Sequence, residues 1–369
     1  MSYSKSLNLL LTTRALGDGG AERVWTTIAR RFAERGDRVT LAVDRARPDD
    51  GLGADTNPRL IELGSSHFGS TLALARVLKR LRPDVALAAV SGSCVKLVAA
   101  AALARTEVPL VLSYHGFEEW RTGRLAAAAY YGMPIVNRRA DRIVAVSDGL
   151  RHRLIEDWGA EEDKTVRIYN PVSLDLARSA TTAEDLAARP PVVLAVGRLS
   201  IEKGMIDLVE AFARVRRPDA RLIIGGDGPE RERLEARIEA LGLADRVSLP
   251  GRIDPNLYYA TARVVAVPSR TEAFGLVLVE ALAHGLPIVS TACHGPREIL
   301  GEGRYGTLVP IGDAEAMARG IENALDDPGA PDERIARAAT FSMEEGFAVW
   351  ARLVDDLAAG RRAAVAPAA

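Results

Sequence analysis

The sequence predicts an α/β protein of two Rossmann-like domains, on three observations. Short apolar runs alternate with amphipathic stretches of helical period, the pattern of parallel strands covered by helices. The order strand, glycine-containing loop, helix, strand occurs twice, at residues 7–43 and again at 191–229. The chain has 369 residues, more than one core usually serves.

In the first half, residues 7–11 read as a strand, Gly17-Asp18-Gly19-Gly20 as a loop and residues 21–35 as a helix. Val24, Trp25, Ile28, Ala29 and Phe32 give that helix its apolar stripe. Gly36 closes it, residues 39–43 form the next strand, and 85–90, 110–113 and 143–146 read as later buried strands. In the second half, residues 191–196 are a strand, 197–204 a loop, 206–215 a helix and 221–224 a strand. Residues 264–269 have the same apolar, β-branched character. The Asn170-Pro171 pair marks the boundary, giving domains of residues 1–172 and 173–342, with 179–189 as the connecting stretch. Residues 343–358 carry Phe347, Trp350, Leu353, Val354 and Leu357 on one helical face, which requires a partner surface. The alanine-rich tail, 363–369, is expected to fray.

Apolar residues make up 48% and charged residues 26%, the balance of a soluble globular protein. A net charge of −1 argues against a nucleic-acid partner. Residues 1–180 carry +5 and the remainder −6. A basic first half suits an anionic acceptor or a peripheral membrane contact, but an ordinary solvated surface explains so small an excess more simply. Cys94 and Cys293 form neither a disulfide framework nor a metal-ligand spacing, which fits a reducing cytoplasm. The first five residues lack a signal-peptide pattern, and no apolar run is long enough to span a bilayer. A cytoplasmic protein is expected.

Three stretches carry candidate chemistry. GRLSIEKG (197–204) follows a buried strand and precedes a helix, where open α/β sheets bind ligands. Its two cations, Arg198 and Lys203, suit a diphosphate that gains charge as it leaves. Taken alone, the loop reads more readily as a solvated turn. GDGGAERV (17–24) suggests a dinucleotide fingerprint and fails it, since Glu22 stands at the third glycine position. What remains is a turn whose backbone can approach an anion at a helix start, or simply a tight turn with Glu22 facing the helix dipole. TEAFGLVLVE (271–280) places Glu272 before a helix that starts near Phe274 or Gly275, and Glu280 inside it. Those carboxylates can accept hydrogen bonds from two sets of sugar hydroxyls, while Leu276, Val277, Leu278 and Val279 bury the helix. The blander reading makes Glu272 a dipole residue and Glu280 a surface residue.

Among the histidines, His115 ends a buried strand at the edge where a ligand crevice belongs, though a satisfied core histidine fits as well. His67, His152, His284 and His294 show no ligand-like spacing, and the acidic pairs Asp49-Asp50 and Asp326-Asp327 sit in loop-like surroundings. No metal cluster is legible, so no metal and no resident cofactor are expected.

Taken together, these pieces resemble a retaining glycosyltransferase of family four, with two Rossmann-like domains facing across a cleft, the GT-B fold. The resemblance covers most of the chain. It rests on GGAERV (19–24), SYHG (113–116), VSDGLRHRL (146–154), IYNPV (168–172), VGRLSIEKG (196–204), GGDGPER (225–231), LPGRID (249–254) and PSRTEAFGLVLVEALAHGLPIVST (268–291). The acid-x₇-acid spacing in the last block is the most specific element.

The resemblance implies roles position by position. Arg198 and Lys203, following Gly197, hold the donor diphosphate. Glu272 takes the transferred sugar, beside backbone N–H groups of Phe274, Gly275 and Leu276. Glu280 holds the nucleotide ribose, and Arg252 and Ile253 flank the base. Gly19 and Gly20 close over the phosphates or admit the acceptor, and His115 lies near the transferred sugar. The last helix returns to the first domain.

The implied partners are a nucleotide-sugar donor, UDP-sugar ahead of GDP-sugar, and a saccharide or lipid-linked saccharide acceptor used in cell-surface polysaccharide or glycoconjugate synthesis. The segment 117–124, with Trp120, Arg121 and Arg124, is a candidate acceptor or membrane contact and equally an ordinary loop. No general base is assigned. A GT-B epimerase and a non-catalytic nucleotide-sugar binder are the competing readings. The acid-x₇-acid block argues against the epimerase, Arg198, Lys203, Glu272 and Glu280 argue against the non-catalytic binder, and Glu22 argues against a nicotinamide dehydrogenase.

Overall fold

The computed structural model describes residues 6–16, 19–46, 52, 55–117, 132–174 and 182–365, with side chains to residue 361. Gly17, Asp18, Asp49, Asp50 and residues 118–124, 179–181 and 366–369 of the stretches considered above lie outside that set. The chain divides into two compact units. One comprises residues 1–171 with 344–369, the other residues 172–343. Among the described residues, no helix is long and apolar enough to cross a membrane.

The first unit holds a seven-stranded sheet in the order β3-β2-β1-β4-β5-β6-β7. Its strands are β1 (Asn8–Ala15), β2 (Arg38–Arg45), β3 (Arg59–Glu62), β4 (Val85–Ala89), β5 (Leu110–Tyr114), β6 (Arg142–Ala145) and β7 (Thr165–Arg167). Every pairing is parallel. Central strands β4 and β5 are buried along their whole length, which explains their uninterrupted apolar runs. β3 and β7 are short edge strands with charged ends, too weakly patterned to be legible in the sequence.

The Gly20–Glu34 helix buries Val24, Trp25, Ile28, Ala29 and Phe32. The C-terminal helix, Met343–Val365, packs on it. Trp350 meets Trp25 edge to face at 5.5 Å, and Phe347 meets Phe32 at 4.9 Å. Ion pairs Arg31–Glu344 (2.7 Å) and Arg35–Asp355 (3.0 Å) flank this apolar seam. The fully buried stripe is Trp350, Val354 and Ala358, at the four-residue spacing of one helix face. Phe347, Leu353 and Leu357 are only half-buried beside it. The helix continues to Val365, so the first residues of the expected frayed tail are helical.

The second unit holds a six-stranded sheet in the order β10-β9-β8-β11-β12-β13. The strands are β8 (Val192–Val196), β9 (Arg221–Gly225), β10 (Val247–Gly251), β11 (Val264–Val267), β12 (Ile288–Thr291) and β13 (Thr307–Val309). All pairings are again parallel. The strand order reverses direction between β8 and β11, and ligands of doubly wound sheets bind outside the carboxyl ends at such a point. A core of Val193, Leu208, Phe212, Leu222, Val264 and Ile321 lies on one face.

Two expectations are corrected. The stretch taken as a connector contains a helix, Ala183–Ala188, with a capping box between Thr182 and Asp185 and a fully buried Leu186. Its polar, alanine-rich composition is that of a linker, yet it carries this cap and buried side chain. The helix expected at 206–215 runs Met205–Phe212, its end tightening into i,i+3 bonds from Arg214 N–H to the Ala211 carbonyl (2.9 Å) and from Val215 N–H to the Phe212 carbonyl (3.1 Å).

Candidate functional site

The carboxyl end of β8 leads into Gly197, Arg198 and the Ile201–Lys203 turn. Gly204 ends this turn with φ +64°, and a Cβ there would stand 2.2 Å from the Pro268 carbonyl oxygen. Only glycine lets the turn lie this close to the segment after β11. Two backbone hydrogen bonds join the loops, from the N–H groups of Arg270 (2.8 Å) and Thr271 (3.4 Å) to the Glu202 carbonyl. The Arg270 guanidinium grips Asp207 with two bonds of 2.9 Å each, the bidentate geometry that orients as well as attracts.

This stitching sets Lys203 beside Glu272. Lys203 Nζ donates to Glu272 Oε2 at 2.5 Å, with side chains 28% and 16% exposed. Burial by itself would lower the Lys203 ammonium, but contact with Glu272, helped by Glu202, outweighs it and raises the group above its ordinary value. The Glu272 backbone is held too, since Gly295 N–H donates to its carbonyl at 2.9 Å. Cys293, in the strand-to-helix turn preceding Gly295, is buried, and burial pushes its thiol up to about 11. It is therefore a packing residue, its Sγ bonded to the Ser269 carbonyl at 3.6 Å.

Gly275 starts the next helix, Leu276–Ala283, with φ +98°. A Cβ there would press on Leu278 at 2.8 Å and Glu272 at 3.3 Å. The helix thus begins four residues past Glu272. Its Leu278 N–H is bonded to the Gly275 carbonyl (3.0 Å), which leaves the Leu276 and Val277 N–H groups without an intrahelical acceptor at that end. Phe274 is buried against Phe341, edge to face at 5.8 Å. Leu278 and Val279 are fully buried, whereas Leu276 and Val277, expected to be buried as well, are half-buried. Glu280 is half-buried rather than a free surface residue, and its Oε2 accepts a bond from the Tyr259 hydroxyl at 2.9 Å.

The Arg198 side chain is exposed and makes no hydrogen bond or ion pair with the described residues, while its carbonyl accepts from the Ser200 N–H at 3.0 Å. Arg252 is exposed, and Ile253 packs where a side chain at position 225 would stand, 2.2 Å from that point. The second unit therefore brings together Gly197, Lys203, Glu272, Phe274, Gly275 and Leu276 around one sheet end, with Arg252 and Ile253 following β10 and Glu280 one helical turn further along. Sequence reasoning missed Tyr259, Asp207 and Gly295, which are linked to the site only by contacts between distant segments.

Gly19, Gly20 and His115 belong to the first unit. Gly19 precedes the Gly20–Glu34 helix, and the Glu22 carboxylate folds back to within 2.7 Å of where a Gly19 Cβ would be. Asp44, at the end of β2, is paired with the buried Lys96. The acid that a dinucleotide site would offer to ribose is therefore already engaged, in keeping with the failed fingerprint. His115 Nε2 meets Ser113 Oγ at 3.0 Å, and its ring lies edge-on to Trp25 at 6.3 Å. Although the residue keeps some surface, its Nδ1 is buried. Burial lowers the imidazole to about 4, against a smaller opposing effect of Asn170, so the ring is neutral at physiological pH. Among the described residues, no group of three or more His, Cys, Asp or Glu is arranged to hold a metal ion.

Comparison with known proteins identifies the family and the fold. Residues 18–176 match the family model described as Glycosyltransferase Family 4, and residues 180–341 match that of Glycosyl transferases group 1. The chain is 32% identical over 325 residues to the lipopolysaccharide core biosynthesis glycosyltransferase LpsE of Rhizobium meliloti, covering 84% of this chain and 86% of that one. Its fold is that of Anabaena HepE, solved in complex with UDP and glucose (TM-score 0.80, 23% identity, 95% and 100% of the two chains). It is equally that of the sucrose-phosphate synthase of Thermosynechococcus elongatus (TM-score 0.82, 24% identity, 95% and 99%). With two parallel-sheet α/β domains and this relationship over most of its length, the chain belongs to the family 4 glycosyltransferases of the GT-B fold.

Proposed function

We propose that this glycosyltransferase is a retaining, metal-independent enzyme that moves a hexosyl group from a UDP-sugar to a saccharide or lipid-linked saccharide acceptor. The observation that carries the reading is the Lys203–Glu272 contact at 2.5 Å, set at the carboxyl edge of the second sheet beside the start of the Leu276–Ala283 helix. A cation for phosphate and an acceptor for hydroxyls stand side by side, which matches the junction between a diphosphate and its sugar.

In this reading the bond between the sugar anomeric carbon and the distal phosphate oxygen breaks, and negative charge grows on the leaving diphosphate. Lys203 and the exposed Arg198 meet that charge, and the helix N-terminus adds its partial positive charge. These groups take the place of a divalent cation. Glu272 accepts hydrogen bonds from the transferred sugar and Glu280 from the ribose, while Arg252 and Ile253 flank the base. His115, Gly19 and Gly20 are assigned to the sugar and phosphates on the resemblance alone. The acceptor oxygen bonds to the anomeric carbon on the face the diphosphate leaves, its proton passing to the departing phosphate oxygen, and no side chain is assigned as general base.

UDP is preferred as the nucleotide because HepE, which shares the fold, was solved with UDP. A saccharide acceptor in glycoconjugate synthesis is preferred because LpsE acts in lipopolysaccharide core biosynthesis. A cytoplasmic enzyme with peripheral access to membrane-bound acceptors belongs to the same proposal.

The test is thermal unfolding with UDP, GDP, ADP and their sugars, in EDTA, followed by a transfer assay with the stabilising donor. Selective stabilisation by UDP compounds, with turnover undiminished by chelator, is expected. Turnover that requires added metal, or stabilisation by another nucleotide family only, overturns the corresponding part. Stabilisation without transfer or donor hydrolysis would favour a non-catalytic binder.

A further inference from the structure

The bond between Tyr259 and Glu280 goes beyond any role assigned so far. Tyr259 ends the short Pro255–Tyr259 helix, and its side chain is completely buried. Its hydroxyl donates to Glu280 Oε2 at 2.9 Å, and its ring lies beside the His284 ring at 5.2 Å. A buried phenol bonded to a half-buried carboxylate anchors one of its oxygens and restrains its rotation. It also occupies one oxygen with a donor, so what Glu280 offers a ligand is acceptor capacity in a set direction.

The Tyr259 backbone is held as well. Arg189 Nη1 donates to the Tyr259 carbonyl (3.1 Å) and the Ala262 carbonyl (2.8 Å), pinning the turn that follows the short helix. At the other end of that helix, Asp254 Oδ1 accepts from Asn256 N–H at 3.1 Å, directly after Arg252 and Ile253. The helix therefore joins the residues proposed to flank the base to the carboxylate proposed to hold the ribose.

We infer that Tyr259 is a positioning residue for nucleoside recognition, and that through Glu280 it makes the donor site select a ribonucleotide over its 2′-deoxy counterpart. The inference rests on Glu280 being the ribose ligand. An oriented acceptor rewards a ligand that brings hydroxyl donors and gains nothing from one that lacks them, and a freely rotating carboxylate discriminates less.

The experiment compares UDP with 2′-deoxy-UDP as competitive inhibitors of transfer by the wild-type enzyme, Tyr259→Phe and Glu280→Ala. Tyr259→Phe removes one oxygen and keeps the ring, and its thermal midpoint is recorded alongside. The expected result is a fall of about three- to tenfold in the preference for UDP in Tyr259→Phe, the scale of one misplaced hydrogen bond. The KM for donor should rise while kcat stays near wild type, and Glu280→Ala should lose at least as much preference. If Glu280→Ala loses the preference and Tyr259→Phe keeps it, the positioning role is wrong and the ribose reading stands. If Tyr259→Phe lowers the midpoint and kcat with the preference unchanged, the residue is only structural. If the wild type does not distinguish the two nucleotides, this inference fails while the ribose reading stands on the 3′-hydroxyl that 2′-deoxy-UDP keeps. If the wild type distinguishes them and neither variant changes the ratio, both fail.

Discussion

Lys203 and Glu272 are paired at 2.5 Å although 69 residues separate them. Each neutralises the other, and each is the group assigned to a different part of the donor. Substrate must therefore redistribute an existing ion pair. Lys203→Ala and Glu272→Ala should each lower turnover by about 100-fold or more, the usual scale for a lost group that stabilises developing charge or orients the reacting sugar. Steady-state transfer rates check this, with circular dichroism confirming the fold, and near-wild-type turnover by either variant contradicts the assignment.

The same pair sets an alkaline dependence. The folded Lys203 ammonium is raised above its ordinary value of 10.5, after burial has pulled the other way and Glu272 has prevailed. A raised cation stabilises the fold below the unfolded value, and that contribution disappears as pH climbs through the folded one. Glu272→Gln should therefore flatten the loss of stability above pH 10. Urea midpoints between pH 8 and 11 for the two proteins would show it, and parallel curves would speak against it.

Gly204 lets the Lys203 turn reach the Pro268 carbonyl. Gly204→Ala combines φ +64° with a Cβ at 2.2 Å from that oxygen. The expected cost is about 1–3 kcal/mol, together with a loss of activity larger than the stability change alone would cause, because Lys203 is displaced. Denaturation and kinetics measured on one preparation separate the two effects.

His115 predicts an acid-side dependence. The unfolded imidazole binds its proton near 6.5, but burial holds the folded one near 4, with Asn170 only partly offsetting it. The contribution is fully present above 6.5 and drains away as pH falls toward 4. It amounts to at most about 3 kcal/mol. His115→Gln should remove this slope, and unchanged pH dependence of the urea midpoint would count against a buried neutral ring.

Trp350 packs the last helix against the rest of the first unit, 2% exposed and edge-on to Trp25. Trp350→Ala should cost about 3–5 kcal/mol, and Trp350→Phe clearly less. Tryptophan fluorescence during denaturation reads both, and a Trp350→Ala midpoint equal to wild type would mean that the helix adds little.

The sequence by itself determined the parallel α/β class, the repeated strand–loop–helix plan and the position of the acid-bearing block. Those features are local. Buried parallel strands need continuous apolar runs such as residues 85–89 and 110–114, and tight strand-to-helix turns need glycine at positions such as 204 and 275. Weakly patterned edge strands β3 and β7 escaped, and so did the Ala183–Ala188 helix, whose polar, alanine-rich composition imitates a linker. The tertiary structure alone decided which groups meet. Lys203 finds Glu272, Arg270 finds Asp207 and Tyr259 finds Glu280 because the sheet order brings the ends of β8, β10 and β11 toward one edge. No periodicity in the chain encodes such meetings, since they depend on strand order and on backbone approaches of a few ångströms.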